Sequence, residues 1–83
     1  MHTDTKPMIH LLAFGMIADV LEHPEKDWPW SADTAMLRAA LIKAYPELRD
    51  LPFVIAVNMD VAGGEQPIPP GATVALLPPY SGG

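Results

Sequence analysis

Ten prolines punctuate the 83 residues of the chain, and five of them limit where regular structure can run. Pro7 keeps Lys6 out of the helical region, so residues 1–7 read as a loose leader and the fold begins at Met8. The run Ile9 to Phe14 is apolar on both alternating faces and closed by Gly15, which suits a central strand covered on one side by a helix. Met16 to Glu22 then places Ile17, Val20 and Leu21 at i, i+3 and i+4, giving one or two helical turns that end at His23 and Pro24. Pro29, between Trp28 and Trp30, has no N–H to give a ladder, so Lys26 to Trp30 forms an edge strand at best. Ser31 or Asp33 can cap the next helix, whose stripe is Leu37, Leu41, Ala44 and Leu48, and Pro46 must end or bend it.

The strongest β signal is the unbroken apolar run Phe53 to Val57, followed by turn residues from Asn58 to Gly64. Pro70-Gly71 is a type II turn signature, and Ala72 to Leu77 reads as a last strand that continues into the tail. Strands at both ends and one main helix in the middle describe an α+β domain over residues 8–77, a mixed sheet packed on that helix. Residues 78–83 form an extended, flexible tail.

Composition narrows the function. A chain of this length supports one modest core, and 49% apolar with 18% charged residues belongs to a globular domain. There is no cysteine, hence no disulfide, thiolate metal site or cysteine nucleophile. The net charge is −5, and Lys6, Lys26, Arg38, Lys43 and Arg49 are scattered, which argues against nucleic acid as a partner. The longest apolar stretch, Leu11 to Ala18, falls far short of the roughly 20 residues that cross a bilayer, so the expectation is a cytoplasmic protein without a membrane partner. Asp19, Glu22 and His23 share a helical turn but read as a solvated face, with no metal expected. Ser31, Thr34, Ser81 and the histidines have no triad spacing, and no catalytic constellation emerges.

The tail is different. Pro78 and Pro79 favour polyproline II, a semi-rigid stem, and six extended residues at about 3.3 Å each reach about 20 Å past the last strand. Gly82 and Gly83 carry no side chains, so backbone and terminal carboxylate can enter a channel where a Cβ would collide. Taken alone, a terminal Gly-Gly is an ordinary frayed end.

The residues before it change that weighting. Ala75-Leu76-Leu77-Pro78-Pro79-Tyr80-Ser81-Gly82-Gly83 resembles the C-terminus of the MoaD and ThiS-like sulfur carriers, most closely the small subunit of molybdopterin synthase, in which an apolar strand runs into Pro-Pro, two variable residues and Gly-Gly. Met8 to Phe14, Ala56-Val57-Asn58 and Pro67 to Val74 are similar to that family's opening strand, third strand with its turn, and turn into the final strand. Pro70 and Ala72 stand where the family usually has acidic residues, and Trp28-Pro29-Trp30 is peculiar to this chain.

The resemblance implies a ubiquitin-like β-grasp fold and a non-catalytic subunit that binds no cofactor. An E1-like, MoeB-like adenylyltransferase would spend ATP to adenylate Gly83, and a sulfur donor protein would supply the sulfur for a thiocarboxylate there. Gly82 would give access, and Pro78, Pro79, Tyr80 and Ser81 would enter the partner, a MoaE-like large subunit that holds the active site. Phe14, Val61 and Leu77 match the positions of the family's apolar patch against its partner. Of these, Phe14 and Leu77 serve equally well as ordinary core, whereas Val61, in a turn, is the sharper case. The expected activity is sulfur donation to cyclic pyranopterin monophosphate, forming the molybdopterin dithiolene. Alternatives are a carrier for thiamine thiazole synthesis or another pathway, a ubiquitin-like modifier joined to lysines through Gly83, and an interaction module with an inert tail. The Pro-Pro stem argues against the thiazole carriers, which typically lack it.

Overall fold

The structure, a computed structural model, describes residues 7–61 and 64–79. Strand β1 (Met8–Ala13) leads into a short helix α1 (Met16–Leu21), then β2 (Glu25–Pro29), the main helix α2 (Thr34–Ala44), a 3-10 turn (Pro46–Asp50), β3 (Val54–Val57), β4 (Asp60–Val61) and β5 (Thr73–Leu77). The sheet runs β2-β1-β5-β3-β4. β1 and β5 are parallel at its centre and the other pairs are antiparallel. This is the mixed sheet and single main helix expected from the sequence.

Alternation along the central strands sends Ile9, Leu11, Ala13, Ile55, Val57, Val74 and Leu76 to one face, where they form one core with Leu37 and Leu41 of α2. Ile17 and Leu21 of α1, with Leu48 and Phe53, close its ends. Pro46 does end α2, so Leu48 reaches the core from the 3-10 turn and not from the helical stripe assigned to it. Asp33, not Ser31, caps α2: its carboxylate accepts from the Met36 N–H at 2.8 Å. The N-terminus of α2 is strapped to the 64–68 segment, with the Thr34 hydroxyl accepting from the Gln66 N–H and donating to the Gly64 carbonyl. That bonding lets Thr34 sit buried without an unmet polar group.

β2 lies at the sheet edge, as Pro29 requires. Trp28 packs 5.8 Å from the ring of Tyr45, Lys26 donates to the Tyr45 hydroxyl at 2.9 Å, and the Trp30 indole donates to the Ile68 carbonyl at 2.6 Å. These three contacts clamp the inner side of the edge strand to the end of α2 and the segment before β5.

Other details also depart from the sequence reading: β2 spans Glu25–Pro29 and not Lys26 to Trp30. β1 stops at Ala13, although the Phe14 N–H still donates to the Leu76 carbonyl. Part of Asn58–Gly64 is also a strand: Asp60 and Val61 pair with Val57 and Ala56 across a two-residue loop of Asn58 and Met59, whose φ angles are 49° and 75°. Positive φ at both loop positions is the type I′ arrangement, whose twist matches a hairpin. Asn58 tolerates it, and its side-chain oxygen also accepts from the Thr73 N–H at 3.0 Å, extending the ladder to β5. Met59 is strained there. Pro69 to Ala72 forms the expected type II turn, with Gly71 at φ 79° and the Ala72 N–H donating to the Pro69 carbonyl. Replacing Met59 with Gly should raise unfolding free energy by about 0.5–1 kcal/mol, and Asn58→Ala should lower it by about 1–2 kcal/mol, both read from urea denaturation midpoints.

Candidate functional site: the outer sheet face and the base of the tail

The sheet has a second face that α2 does not cover. Leu12 on β1, Ala75 on β5, Ala56 on β3 and Val61 on β4 lie side by side across it, by the register of all three strand pairings. One row further along, Leu77 lies opposite Val54. Phe14 follows Ala13, the partner of Leu76, and so continues this outer row beside Leu77. Phe14 is 46% exposed and Val61 61% exposed, while Leu77, Val54, Leu12 and Ala75 are half-buried and Ala56 is buried between its neighbours. Phe14, Val61 and Leu77, taken from three distant points of the sequence, therefore share one apolar face, and none of them belongs to the core. Leu12, Val54 and Ala75 are additions to it. Their signal was the apolar character of both alternating faces in β1 and β5, since only one face can meet the helix.

The tail leaves from the same end of this face. Pro78 is half-buried and Pro79 exposed. Tyr80, Ser81, Gly82 and Gly83 lie outside the described residues, as do residues 1–6 of the leader. Pro7 is described, and its carbonyl accepts from the Trp30 N–H at 3.1 Å.

The ThiS family matches residues 14–83. The chain belongs to that family, of ubiquitin-fold sulfur carriers. The match runs from the phenylalanine that opens the outer row to the final glycine. Two solved structures share the architecture. One is the solution structure of small archaeal modifier protein 1 from Methanosarcina acetivorans, with a TM-score of 0.76, 18% identity, and coverage of 95% of this chain and 99% of that one. The other is the crystal structure of SAMP1 from Haloferax volcanii, with a TM-score of 0.69, 23% identity, and coverage of 92% and 99%. At these identities they establish the fold, the ubiquitin-like β-grasp, in this ThiS-family chain.

Among the described residues no group of three or more histidine or carboxylate side chains is placed to hold a metal, and no helix is long and apolar enough to cross a membrane. The outer face does carry one polar cluster, toward its β2 edge. His10 Nε2 lies 2.9 Å from Glu25 Oε1, and Nδ1 lies 3.2 Å from Asp27 Oδ1. Only the imidazolium can donate from both nitrogens, so this geometry suits the charged ring. The bond to Glu25 first, and then that to Asp27, raises the His10 pKa above its ordinary value.

A raised folded-state pKa stabilises the fold at low pH. The contribution is fully present below about 6.5, the unfolded value, and is lost as pH rises through the higher folded value. The stability difference between wild type and His10→Gln, from denaturation at a series of pH values, should therefore be largest in the acid part of the range and shrink toward alkaline pH.

Proposed function

We propose that this ThiS-family chain is the sulfur carrier subunit of molybdopterin synthase, with Gly83 as the residue that carries the sulfur. The observation that supports this reading most is positional. The strand that supplies Leu77 to the outer apolar face continues without a break into Pro78 and Pro79, so one docking event can orient the tail that follows.

The chemistry follows from the poverty of the chain's own groups. It has no cysteine, and a carboxylate is a poor electrophile. An E1-like adenylyltransferase solves both problems: the Gly83 carboxylate attacks the α-phosphate of ATP, pyrophosphate leaves, and the acyl carbon gains AMP as a leaving group. A sulfur donor protein then delivers a sulfide equivalent to that carbon and AMP departs. The thiocarboxylate left behind is a strong sulfur nucleophile that needs no thiol side chain. A MoaE-like large subunit supplies the pocket in which this sulfur passes to cyclic pyranopterin monophosphate, and two charged carriers complete one dithiolene.

In this scheme Phe14, Val61 and Leu77, with Leu12, Val54 and Ala75 around them, dock on the partner through apolar burial. Pro78 and Pro79 keep the stem extended at little ordering cost, Tyr80 and Ser81 line the channel, and Gly82 lets the backbone pass. A second reading keeps the activation step and changes its outcome. Both solved structures described above are of proteins named as modifiers, which favours a ubiquitin-like tag whose activated Gly83 is captured by a lysine of another protein.

Intact-mass measurement separates these. After incubation with the E1-like enzyme, ATP and a sulfur donor, the carrier reading predicts one oxygen of the chain exchanged for sulfur, reversed when the large subunit and the pterin are added. The modifier reading predicts isopeptide conjugates. A chain whose mass never changes contradicts both.

A further inference from the structure

We propose that Gly15 is a positioning residue for the C-terminal tail: the corner it forms between β1 and α1 is the seat on which Pro78 packs, and this seat aims the stem. The inference rests on the reading that the tail is activated by an E1-like enzyme, and it adds a residue from the opposite end of the chain to that function.

Gly15 has φ 60° and ψ −138°, a conformation that costs glycine little and a residue with a Cβ of order 1–3 kcal/mol. The corner it makes is braced on every side. The Phe14 N–H donates to the Leu76 carbonyl, and the Ala13 N–H to the Pro24 carbonyl. The Phe14 and Gly15 carbonyls accept from the Ile17 and Ala18 N–H groups that open α1. A Cβ built on Gly15 would stand 3.4 Å from Cγ of Pro78, an ordinary van der Waals contact that marks the ring as the corner's neighbour. The proline ring therefore lies directly beside the corner, near enough that a residue strained at this positive φ would shift the ring as the corner relaxed.

The consequence is directional. Leu76 is tied to Phe14, so the chain is held up to the end of β5, but the ladder with β1 stops there. Beyond it the two proline rings fix φ at each position, so the stem keeps much of the direction it is given at Pro78. A change of angle at Pro78 therefore carries into Pro79, the point from which the rest of the tail departs. Gly15 and Phe14 divide the work: Phe14 adds apolar area to the outer face, and Gly15 sets the angle at which the stem departs.

The test measures ATP–pyrophosphate exchange by the E1-like adenylyltransferase of the same organism against the concentration of this chain. Gly15→Ala keeps the docking face, so KM should stay within about twofold while kcat falls by about tenfold or more, the sensitivity expected when a reacting group is misplaced by about an ångström. Val61→Asp should do the opposite, raising KM with little change in kcat. Pro78→Ala removes the seated ring without touching the corner and should lower kcat in the same way, which keeps the proposal open to test if Gly15→Ala does not fold. In the isolated wild-type chain, NMR cross-relaxation between the Gly15 α protons and the Pro78 γ protons should be visible. Absence of that contact overturns the proposal. So does wild-type kcat in folded Gly15→Ala or in Pro78→Ala. Failure of the wild-type chain itself to support exchange would overturn the activation reading, and the proposal with it.

Discussion

The parallel pairing of β1 with β5 is the constraint from which the rest follows. It joins the first and last strands at the middle of the sheet, with Leu11 beside Val74 and Ala13 beside Leu76, and seals the core between them and α2. Parallel neighbours cannot be joined by a tight turn, so the whole intervening chain, α2 included, serves as their connection. Because the two strands point the same way, the end of β5 emerges where β1 turns into α1. The outer row of Phe14 and Leu77, the exit of Pro78 and the Gly15 corner are three results of that one arrangement.

The two faces of the sheet have different duties. The inner face is closed by α2 and α1, with little left exposed. The outer face, which α2 does not cover, is apolar across β1, β5, β3 and β4, with Phe14 and Val61 the exposed members of the row. Its borders are managed separately. Pro29 and the carboxylates of Glu25 and Asp27 blunt the β2 edge, and β4 is only two residues long. Apolar area is thereby offered in the middle of the face while the edges are kept from pairing with other chains.

Much of this was legible in the sequence because prolines and caps act locally. The end of α2 at Pro46, the edge position of β2 and the type II turn at Gly71 each follow from one side chain and its neighbours, and the helix cap is narrowed to Ser31 or Asp33. What was not legible is non-local. The sheet order depends on pairings between residues tens of positions apart, which no periodicity records. β4 hid because two residues, one of them aspartate, make no strand pattern, and Asn58 hid because its ladder bond to Thr73 has no local trace. Gly15 was readable as a strand terminator and not as the neighbour of Pro78, because that contact spans nearly the whole chain. For the site, Phe14, Val61 and Leu77 were picked out through a family resemblance. Their coming together on one face needed the register of three strand pairings.

The account stands on the idea that the reagent is the terminal carbonyl of Gly83, and one added residue probes that idea most directly. A chain extended by a single alanine after Gly83 has the same docking face, the same corner and the same stem, and only the identity of its final acyl group differs. The account predicts that this chain folds as the wild type does, by superimposable amide spectra, yet forms no thiocarboxylate with the E1-like enzyme, ATP and a sulfur donor. Recovery of the extended chain, untrimmed by mass and charged with sulfur at the wild-type rate, would contradict it.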